Sequence, residues 1–196
     1  MEAPALDITP WLQARPAAAS DAQALADLIR RDADHLRPYL PALVAALGSA
    51  EDARAHFRRV AEQAARDELL EWYVFAGGVL CGAVRLKNIE TLNRKVSVAY
   101  FLAADHQGRG IATRSVRAVL GYCFGELGMN RAELTCATGN GPSVRLAERL
   151  GFTREGLLRQ AEWLGEGFVD HYVFGLLRAE FLAANAAGRG ENFRRV

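Results

Sequence analysis

The residues best suited to chemistry lie in a glycine-rich segment at 107–112, which reads QGRGIA. Glycine lets the backbone turn tightly and approach a ligand, and the first N–H groups of a following helix lie at the positive end of its dipole. We therefore interpret this segment as a binding loop for a pyrophosphate group, to which Arg109 adds positive charge. Taken alone, the pattern fits a glycine-rich helix start without a ligand about equally well.

Two other classes of phosphate-binding loop fit this segment poorly. In a Rossmann fingerprint the third small position would fall on Thr113. A ribose-binding carboxylate is expected about 20 residues further on, where this sequence has Leu127 and Gly128. The sequence also lacks the spacing of a Walker loop. The segment is therefore neither a dinucleotide fingerprint nor a P-loop.

The elements around the loop predict a strand, a glycine-rich loop and a helix in succession. The strand pattern is an apolar run, and the helix pattern is a set of apolar residues at helical spacing that ends before Gly128. The predicted elements of this half are a strand at 96–102, a helix that follows the loop after 113 and ends at 127, a strand at 131–137, a helix at 140–150 and two strands from 152 hinged at 165–167.

The first half of the chain predicts helices followed by a hairpin. The predicted elements are a helix that Asp21 caps, a helix and loop at 35–41 that Pro38 and Pro41 interrupt, a helix at 51–67, and strands at 72–75 and 79–86 joined by Gly77 and Gly78. We call 35–41 the lid. This order predicts an α+β fold with a mixed sheet, in which the later helices are crossovers. One domain spans 1–182, and the tail at 183–196, rich in Ala, Gly and Arg, is expected to be poorly ordered.

The composition excludes several classes of partner. With 196 residues, of which 51% are hydrophobic, the chain can bury one sizeable core but not two ordinary ones. Lys and Arg number 24 and Asp and Glu number 23, a balance that gives no electrostatic footprint for nucleic acid or an anionic membrane. Any partner must therefore be argued from a site.

The cysteines and the start of the chain point to a reducing compartment. Cys81, Cys123 and Cys136 are odd in number, lack metal-ligand spacing and lie in apolar runs, so we expect reduced core residues and no metal. Residues 1–10 contain no basic segment followed by an apolar stretch, and no run approaches the roughly 18 apolar residues of a membrane span. The expected location is the cytoplasm.

The sequence around the loop resembles the GNAT superfamily of acyltransferases. The segment QGRGIA at 107–112 matches the Q/R-x-x-G-x-G/A signature with which that superfamily holds the pyrophosphate of CoA. Downstream, NGPS at 140–143 and AERLGF at 147–152 resemble the N-x-x-S and A-E-[KR]-L-G-F block of the Rim-type ribosomal-protein serine and alanine N-acetyltransferases.

The same Rim-type subgroup is similar to the chain in two further places. The segment GLLRQAEW at 156–163, with DH at 170–171, resembles the G-x-L-[KR]-x-A-E-W and D-H ending of the subgroup. LRPYLP at 36–41 is similar to its L-R-x-W-L-P. The resemblance is close over 96–178 and fainter before that.

This resemblance implies both a fold and a cofactor. The GNAT fold has helices on both faces of a mixed, mostly antiparallel sheet that is splayed between its two central strands. Acetyl-CoA is the implied acyl donor, with its pantetheine in the opening, paired with the backbone at 101–103, where an N–H would stabilise an oxyanion. The implied CoA-binding residues are Phe101, Leu102, Ala103, Gln107, Gly108, Arg109, Gly110, Ile111, Ala112, Thr113, Asn140 and Ser143.

The resemblance also implies two catalytic residues, each with a structural alternative. Glu162 is the implied general base, although a solvated or ion-paired strand residue would look the same. Ser143 is the implied donor to the departing thiolate, although its place after Asn140 also suits a helix cap. His171 competes as base because histidine titrates near neutral pH, but beside Asp170 it is also typical of a structural histidine.

The acceptor side is less well defined. Arg37 and Tyr39 in the lid are candidate substrate contacts, the alternative being turn packing beside Pro38. We add His171 and Ser97 to the candidate substrate-binding residues. Ser97 occupies the position where the subgroup often carries a Glu in an E-I-G-Y-W-L pattern. The role of that carboxylate is therefore empty or has moved.

The leading hypothesis is direct acetylation of a primary amine, namely the N-terminal α-amine of a protein or peptide that begins with Ser or Ala. A second hypothesis is acylation of a small amine such as an antibiotic, a polyamine or an aminoacyl-nucleotide. A third is a CoA-binding module without activity, which Ser97 favours and which Glu162 and Ser143 oppose. A homodimer is compatible with each of them.

Overall fold

The computed structural model describes residue 1 and residues 3–187, and this part of the chain forms one sheet of eight strands with seven helices. The strands are β1 (Leu6–Thr9), β2 (Leu12–Arg15), β3 (Leu69–Ala76), β4 (Val79–Glu90), β5 (Lys95–Leu102), β6 (Arg131–Ala137), β7 (Thr153–Trp163) and β8 (Phe168–Leu177). The helices are α1 (Ala22–Arg31), α2 (Ala33–Leu36), α3 (Pro41–Ala46), α4 (Ala50–Ala65), α5 (Ile111–Gly125), α6 (Gly141–Arg149) and α7 (Arg178–Ala187). The order of strands in the sheet is β1-β2-β3-β4-β5-β6-β8-β7.

Helices cover both faces of this sheet. Trp72 of β3 packs edge-on against Tyr122 of α5, with ring centroids 5.6 Å apart. The next residue, Tyr73, packs against Phe57 of α4 at 5.3 Å. Because successive side chains of a strand point to opposite faces, α4 and α5 lie on opposite sides. In the described residues β5 and β6 are parallel and the other neighbours are antiparallel, so the predicted α+β fold with a mixed, mostly antiparallel sheet is confirmed.

The centre of the sheet buries one charged network. Every residue at 69–75 is buried, and Glu71 is among them. Its carboxylate accepts hydrogen bonds from the Tyr73 hydroxyl at 2.7 Å and from Arg85 Nε at 2.9 Å, and it lies 3.0 Å from His56 Nε2. Burial alone would raise the pKa of Glu71, but His56 and Arg85 outweigh it and lower the pKa to about 2. An ionised group therefore joins α4 to β3 and β4.

The two central strands diverge, as the sequence predicts. The parallel pairing of β5 with β6 begins at Lys95 and ends where Ser97 pairs with Glu133. β5 continues to Leu102 and stays paired with β4, while β6 continues to Ala137 and stays paired with β8. Each strand is thus held by its outer neighbour while the inner edges separate. The predicted splay is confirmed, and it opens beyond Ser97.

An N-terminal hairpin extends the sheet and is not expected from the sequence. β1 and β2 have four residues each and are joined across Pro10 and Trp11. β2 pairs with β3 and starts at the contact between Leu12 and Ala76. Strands this short give no clear alternation of apolar and polar residues. Their place is therefore set by pairing with a distant strand rather than by a local pattern.

The C-terminal helix corrects one expectation. We expected 183–196 to be poorly ordered, but α7 continues to Ala187, so 183–187 are helical. Phe181 anchors this helix because it is buried and its ring centroid lies 5.1 Å from that of Phe124 in α5. The remainder of the expected tail, 188–196, lies outside the described residues.

Candidate active site

The divergence of β5 from β6 opens a cleft of about 560 Å³. Its walls come from β5, β6, α6, the loop at 107–113, the lid and the hairpin of β7 and β8. The predicted site residues that line it are Tyr39, Phe101, Leu102, Gln107, Gly108, Gly110, Ile111, Ala112, Thr113, Asn140, Ser143, Glu162 and His171. The predicted site residues that do not line it are Arg37, Ser97, Ala103 and Arg109.

The charged side chains of this cleft are unevenly distributed. Lys87, Arg145 and Arg149 contribute positive charge. Among the described residues that line the cleft, Glu162 is the one carboxylate. A cleft with this balance attracts a ligand that carries several negative charges, such as a nucleotide phosphate chain. It also leaves one carboxylate available to act as a general base.

The glycine-rich loop has the backbone that a phosphate site requires. Gly108 and Gly110 have φ of +72° and +73°, in the left-handed region that side chains with a Cβ disfavour. Gly110 is the N-cap of α5, whose first N–H groups have no acceptor within the helix. No heavy atom lies within 4 Å of a Cβ built on Gly108, so the loop presents bare backbone to the cleft. The loop therefore fits the pyrophosphate of CoA, held by backbone N–H groups and the helix dipole.

At the splayed edge of β5, fewer backbone groups face the cleft than the sequence predicts. The Ala103 N–H donates to the Cys81 carbonyl at 2.7 Å. A Cβ built on Gly82 would lie 2.3 Å from the Phe101 carbonyl oxygen, so that oxygen also faces β4. Because backbone groups alternate along a strand, the N–H and C=O of Leu102 face the opening. Within 101–103, Leu102 is thus placed to pair with pantetheine, and Ala103 is not.

Asn140, rather than Ser143, caps α6. The Asn140 Oδ1 accepts a hydrogen bond from the Ser143 N–H at 3.2 Å. The alternative in which Ser143 caps the helix is therefore wrong, because the side chain that accepts the capping hydrogen bond belongs to Asn140. That hydroxyl instead lies 2.9 Å from the Tyr100 hydroxyl on β5. Tyr100 lines the cleft, although it is not among the candidate residues predicted from the sequence.

Cys136 also lines the cleft, close to this pair of hydroxyls. Burial raises the pKa of the Cys136 thiol, an effect that the Ser143 hydroxyl partly offsets. Cys81, Cys123 and Cys136 are all buried and free, as expected for reduced core residues. A thiol with a raised pKa is protonated at neutral pH and is therefore a poor nucleophile.

A β-bulge brings Glu162 to His171. In the pairing of β7 with β8, Leu158 faces His171 and Glu162 faces Val169, so three residues of β7 stand opposite one of β8. Within this bulge the Gln160 φ is +51°. The bulge redirects the strand, as bulges near functional sites often do.

The resulting contact joins the two candidate bases. Glu162 Oε2 lies 3.1 Å from His171 Nε2. The contact is an ion-pair distance rather than a hydrogen bond, and the buried Nε2 has no hydrogen-bond partner among the described residues. The Glu162 side chain is 48% exposed and the His171 side chain is 12% exposed. Glu162 can therefore meet an incoming substrate while His171 forms the wall behind it.

The lid crosses the top of the cleft. The Tyr39 hydroxyl donates to the Gly139 carbonyl at 3.4 Å, and His35 Nε2 lies 2.8 Å from Gln107 Nε2. Gln107 belongs to the glycine-rich loop at 107–112, which we call the phosphate loop. Arg37 instead forms an exposed ion pair with Asp34 at 3.3 Å. His35 also lines the cleft, although it is not among the candidate residues predicted from the sequence. Its position in the lid is the sequence signal that marks it.

A second groove begins on the outer side of Tyr39. This outer groove has a volume of about 800 Å³ and lies between the lid and the turn of β7 and β8. Its residues include Arg37 as well as Tyr39. The hairpin of β7 and β8 contributes residues 164–169 to the wall of this groove. The outer groove and the cleft therefore share one aromatic residue.

Ser97 lies at the base of the splay and does not replace the missing carboxylate. Its hydroxyl accepts a hydrogen bond from Asn88 Nδ2 at 3.3 Å. Ser97 pairs with Glu133 on β6, and the Glu133 carboxylate is ion-paired with Arg131 at 2.9 Å. Glu133 is also absent from the cleft lining. Among the described residues that line the cleft, the carboxylate is therefore that of Glu162.

Two further features concern residue 1 and residues 3–187, the part of the chain that the structure describes. Within them, no group of three or more His, Cys, Asp or Glu side chains is arranged to hold a metal ion. No helix in the same residues has both the length and the apolar character needed to cross a bilayer.

The sequence and the fold together define the class of protein. Residues 12–153 match the profile of the acetyltransferase (GNAT) domain family. This stretch contains the phosphate loop, the splayed strands and α6. The chain belongs to the GNAT acetyltransferase family, as the sequence motifs predict.

Individual relatives support the Rim-type resemblance. YdaF of Bacillus subtilis (strain 168), a predicted ribosomal N-acetyltransferase, is 36% identical over 104 residues, which are 53% of this chain and 57% of that protein. The chain spans about half the length of the curated relatives it matches. A crystal structure of a predicted acetyltransferase has a TM-score of 0.83 at 29% identity, over 90% of this chain and 98% of that one. RimL, a ribosomal-protein alpha-N acetyltransferase in complex with coenzyme A, has a TM-score of 0.82 at 25% identity, over 87% of this chain and 96% of that one.

Proposed function

We propose that the chain transfers an acetyl group from acetyl-CoA directly to a primary amine, and that this amine is the N-terminal α-amine of a cytoplasmic protein or peptide. The observation that carries the proposal is the position of Glu162, the one carboxylate among the described residues that line the cleft, against His171. The similarity to RimL, which is an alpha-N acetyltransferase seen with coenzyme A, supports both the donor and the class of acceptor.

The cofactor is held by three parts of the cleft. The backbone at 107–113 binds the pyrophosphate, with the dipole of α5 behind it. Arg145 and Arg149 line the same cleft and add charge for the phosphates. The backbone of Leu102 pairs with the pantetheine in the splay. Bound acetyl-CoA supplies a thioester carbonyl that is open to attack by an amine.

Most of the rate acceleration comes from holding this carbonyl and the amine together. A peptide α-amine has a pKa of about 7.7 to 8.0, so a substantial fraction is already the free base near neutral pH. Glu162, directly or through a water, accepts the proton released as the amide forms. The Leu102 N–H stabilises the oxyanion, and the Ser143 hydroxyl donates a hydrogen bond to the departing sulfur. Cys136 remains a thiol, so no acyl-enzyme is needed.

The outer groove gives a peptide acceptor a path to Glu162. Val169 lines the outer groove and His171 lines the cleft. They are two positions apart on β8, so they share one face of the strand at a spacing of about 7 Å. An extended peptide whose α-amine reaches Glu162 therefore has its next residues in the outer groove. A small amine would leave this groove unfilled.

The test compares three acceptors at neutral pH by release of CoA from acetyl-CoA. They are a peptide with a free N-terminal serine and a blocked lysine, the same peptide with a blocked N-terminus and a free lysine, and spermidine. We expect the first to react fastest because a lysine amine with a pKa near 10.4 is almost wholly protonated. Faster transfer to spermidine would support the small-amine hypothesis, and no transfer to any amine would support a CoA-binding module.

A further inference from the structure

We propose that Tyr100 is a positioning residue for the acyl-transfer step, which holds the Ser143 hydroxyl so that its proton points at the sulfur of bound CoA. The proposal rests on the proposed function, since it gives Ser143 a thiolate to meet. It starts from the 2.9 Å contact between the two hydroxyls. The two residues belong to β5 and α6, and both line the cleft.

The position of Tyr100 follows from the splay. β5 leaves β6 after Ser97, so Tyr100 lies three residues into the diverged part of the strand. It remains paired with Val84 on β4, which fixes its backbone. Its side chain spans the gap to α6, where the Asn140 cap fixes the Ser143 backbone through the Ser143 N–H. Both partners are thus held by elements that do not depend on the contact between them.

The direction of the hydrogen bond follows from acidity and burial. A phenol is a stronger acid than an aliphatic alcohol and is therefore the better donor. Burial raises the pKa of Tyr100 to about 12, so the phenol keeps its proton at neutral pH. Tyr100 then donates and Ser143 accepts, which leaves the Ser143 proton free to point elsewhere. Cys136 and the open cleft are the neighbours on that side.

The acyl-transfer step balances, and Ser143 transfers no proton in it. The amine nitrogen bonds to the carbonyl carbon, the carbon–sulfur bond breaks, and its electron pair stays on sulfur. The proton lost from nitrogen goes to Glu162. The sulfur leaves as a thiolate that accepts a hydrogen bond from Ser143, and Tyr100 keeps Ser143 from turning that proton away. Tyr100 contributes orientation and exchanges no proton.

The first measurement needs no acceptor. CoA is bound to the protein and its thiol is titrated by the ultraviolet absorbance of the thiolate. A hydroxyl that donates to the thiolate lowers the pKa of the bound thiol, so Tyr100→Phe and Ser143→Ala should each raise it, by about one pH unit at most. The dissociation constant for CoA should stay unchanged. Tyr172→Phe is the matched control, because Tyr172 lies on β8 outside the cleft lining.

The second measurement is a double-mutant cycle on CoA release, with the N-terminal serine peptide and with spermidine as acceptors. Tyr100→Phe should lower kcat about tenfold, the worth of one neutral hydrogen bond, with KM for acetyl-CoA and the melting temperature unchanged. Adding Tyr100→Phe to Ser143→Ala should cause no further loss, because Tyr100 acts through Ser143. If Tyr100 were only structural, the losses in kcat from the two single substitutions would multiply in the double variant.

Three results would overturn the proposal. One is wild-type kcat and wild-type thiol pKa in Tyr100→Phe. Another is multiplied losses in the double variant. The third is full turnover with an unchanged thiol pKa in Ser143→Ala, which would remove the donor role of Ser143 together with the inference. If peptides are not acetylated at all, the proposed acceptor fails, while the thiol titration still decides the role of Tyr100.

Discussion

Glu162 Oε2 lies 3.1 Å from His171 Nε2, and this contact exists because β7 carries a bulge between Leu158 and Glu162. Glu162 is thus a half-exposed carboxylate backed by a mostly buried imidazole, and in the proposed mechanism it is the side chain that meets the acceptor amine. In the proposed mechanism Glu162 accepts the proton from the amine, since it is the more accessible of the two side chains.

Replacing Glu162 should therefore slow turnover in a way that depends on pH. Glu162→Gln keeps size and removes the base, so we expect kcat to fall about 10²-fold with CoA affinity unchanged. The deficit should shrink as pH rises above about 8, because the acceptor amine is then already deprotonated. Kinetics from pH ~6.5 to ~9.5 check this. Glu148→Gln, an exposed change on α6, is the control.

Two outcomes of that experiment would contradict the assignment. A deficit that is equal at every pH would make Glu162 a structural residue. Full activity in Glu162→Gln would transfer the base role to His171, which His171→Asn would then test.

The phosphate loop should no longer bind CoA when either of its left-handed glycines is replaced by a β-branched residue. Gly108→Val and Gly110→Val place a β-branched residue at φ of +72° and +73° and in the path of the ligand. We expect CoA to stop raising the melting temperature, while the wild type gains stability from CoA because the ligand binds the folded state. Gly78→Val is the matched control because Gly78 has φ of +79° in the distant hairpin turn. Equal CoA-induced shifts in all three variants would argue against the loop.

Gly82 should be intolerant of any side chain because of its closeness to the splayed strand. An added Cβ would lie 2.3 Å from the Phe101 carbonyl oxygen, a backbone atom that cannot move alone. We expect Gly82→Ala to cost about 1–3 kcal/mol of unfolding free energy through overpacking. Gly121→Ala on α5 meets no heavy atom within 4 Å and should instead be stabilising by about 0.5–1 kcal/mol. Chemical denaturation of both variants measures the difference, and equal stabilities would contradict the account.

The buried network of Glu71 should make the fold sensitive to acid. The folded pKa of Glu71 is lowered from 4.5 to about 2, so its contribution to stability is present above pH 4.5 and is lost as pH falls toward 2. We expect Glu71→Gln to lose about 3 kcal/mol at neutral pH, because the partly buried Arg85 is left without its counter-ion. Its stability should fall less steeply than that of the wild type between pH 4.5 and 2. Parallel pH profiles for the two proteins would rule out this role.

The sequence predicts the features that are local. The phosphate loop can be read from neighbouring residues because a left-handed backbone needs glycine at fixed positions. The splay and the candidate base follow from a motif that keeps its order along the chain. Asn140 and Ser143 are both marked by the same motif, although the sequence does not say which of them caps the helix.

The features that depend on register cannot be read from the sequence. Whether Leu102 or Ala103 faces the opening is decided by how β5 pairs with β4, and a shift of one residue would exchange them. The contact of Tyr100 with Ser143 joins residues 43 positions apart. The bulge that brings Glu162 to His171 has Gln160 at its left-handed position. Because this residue is not a glycine, the sequence gives no local sign of the bulge. Each of these is a property of the assembled sheet.

The most direct test of the central claim uses one peptide that offers both kinds of amine, a free N-terminal serine and a free internal lysine. After incubation with acetyl-CoA and the protein, tandem mass spectrometry locates the added acetyl group. We predict one acetyl group per peptide, carried by the N-terminal residue, and its loss in Glu162→Gln at neutral pH. Acetylation confined to the lysine, or no acetylation of the peptide alongside rapid acetylation of spermidine, would contradict it.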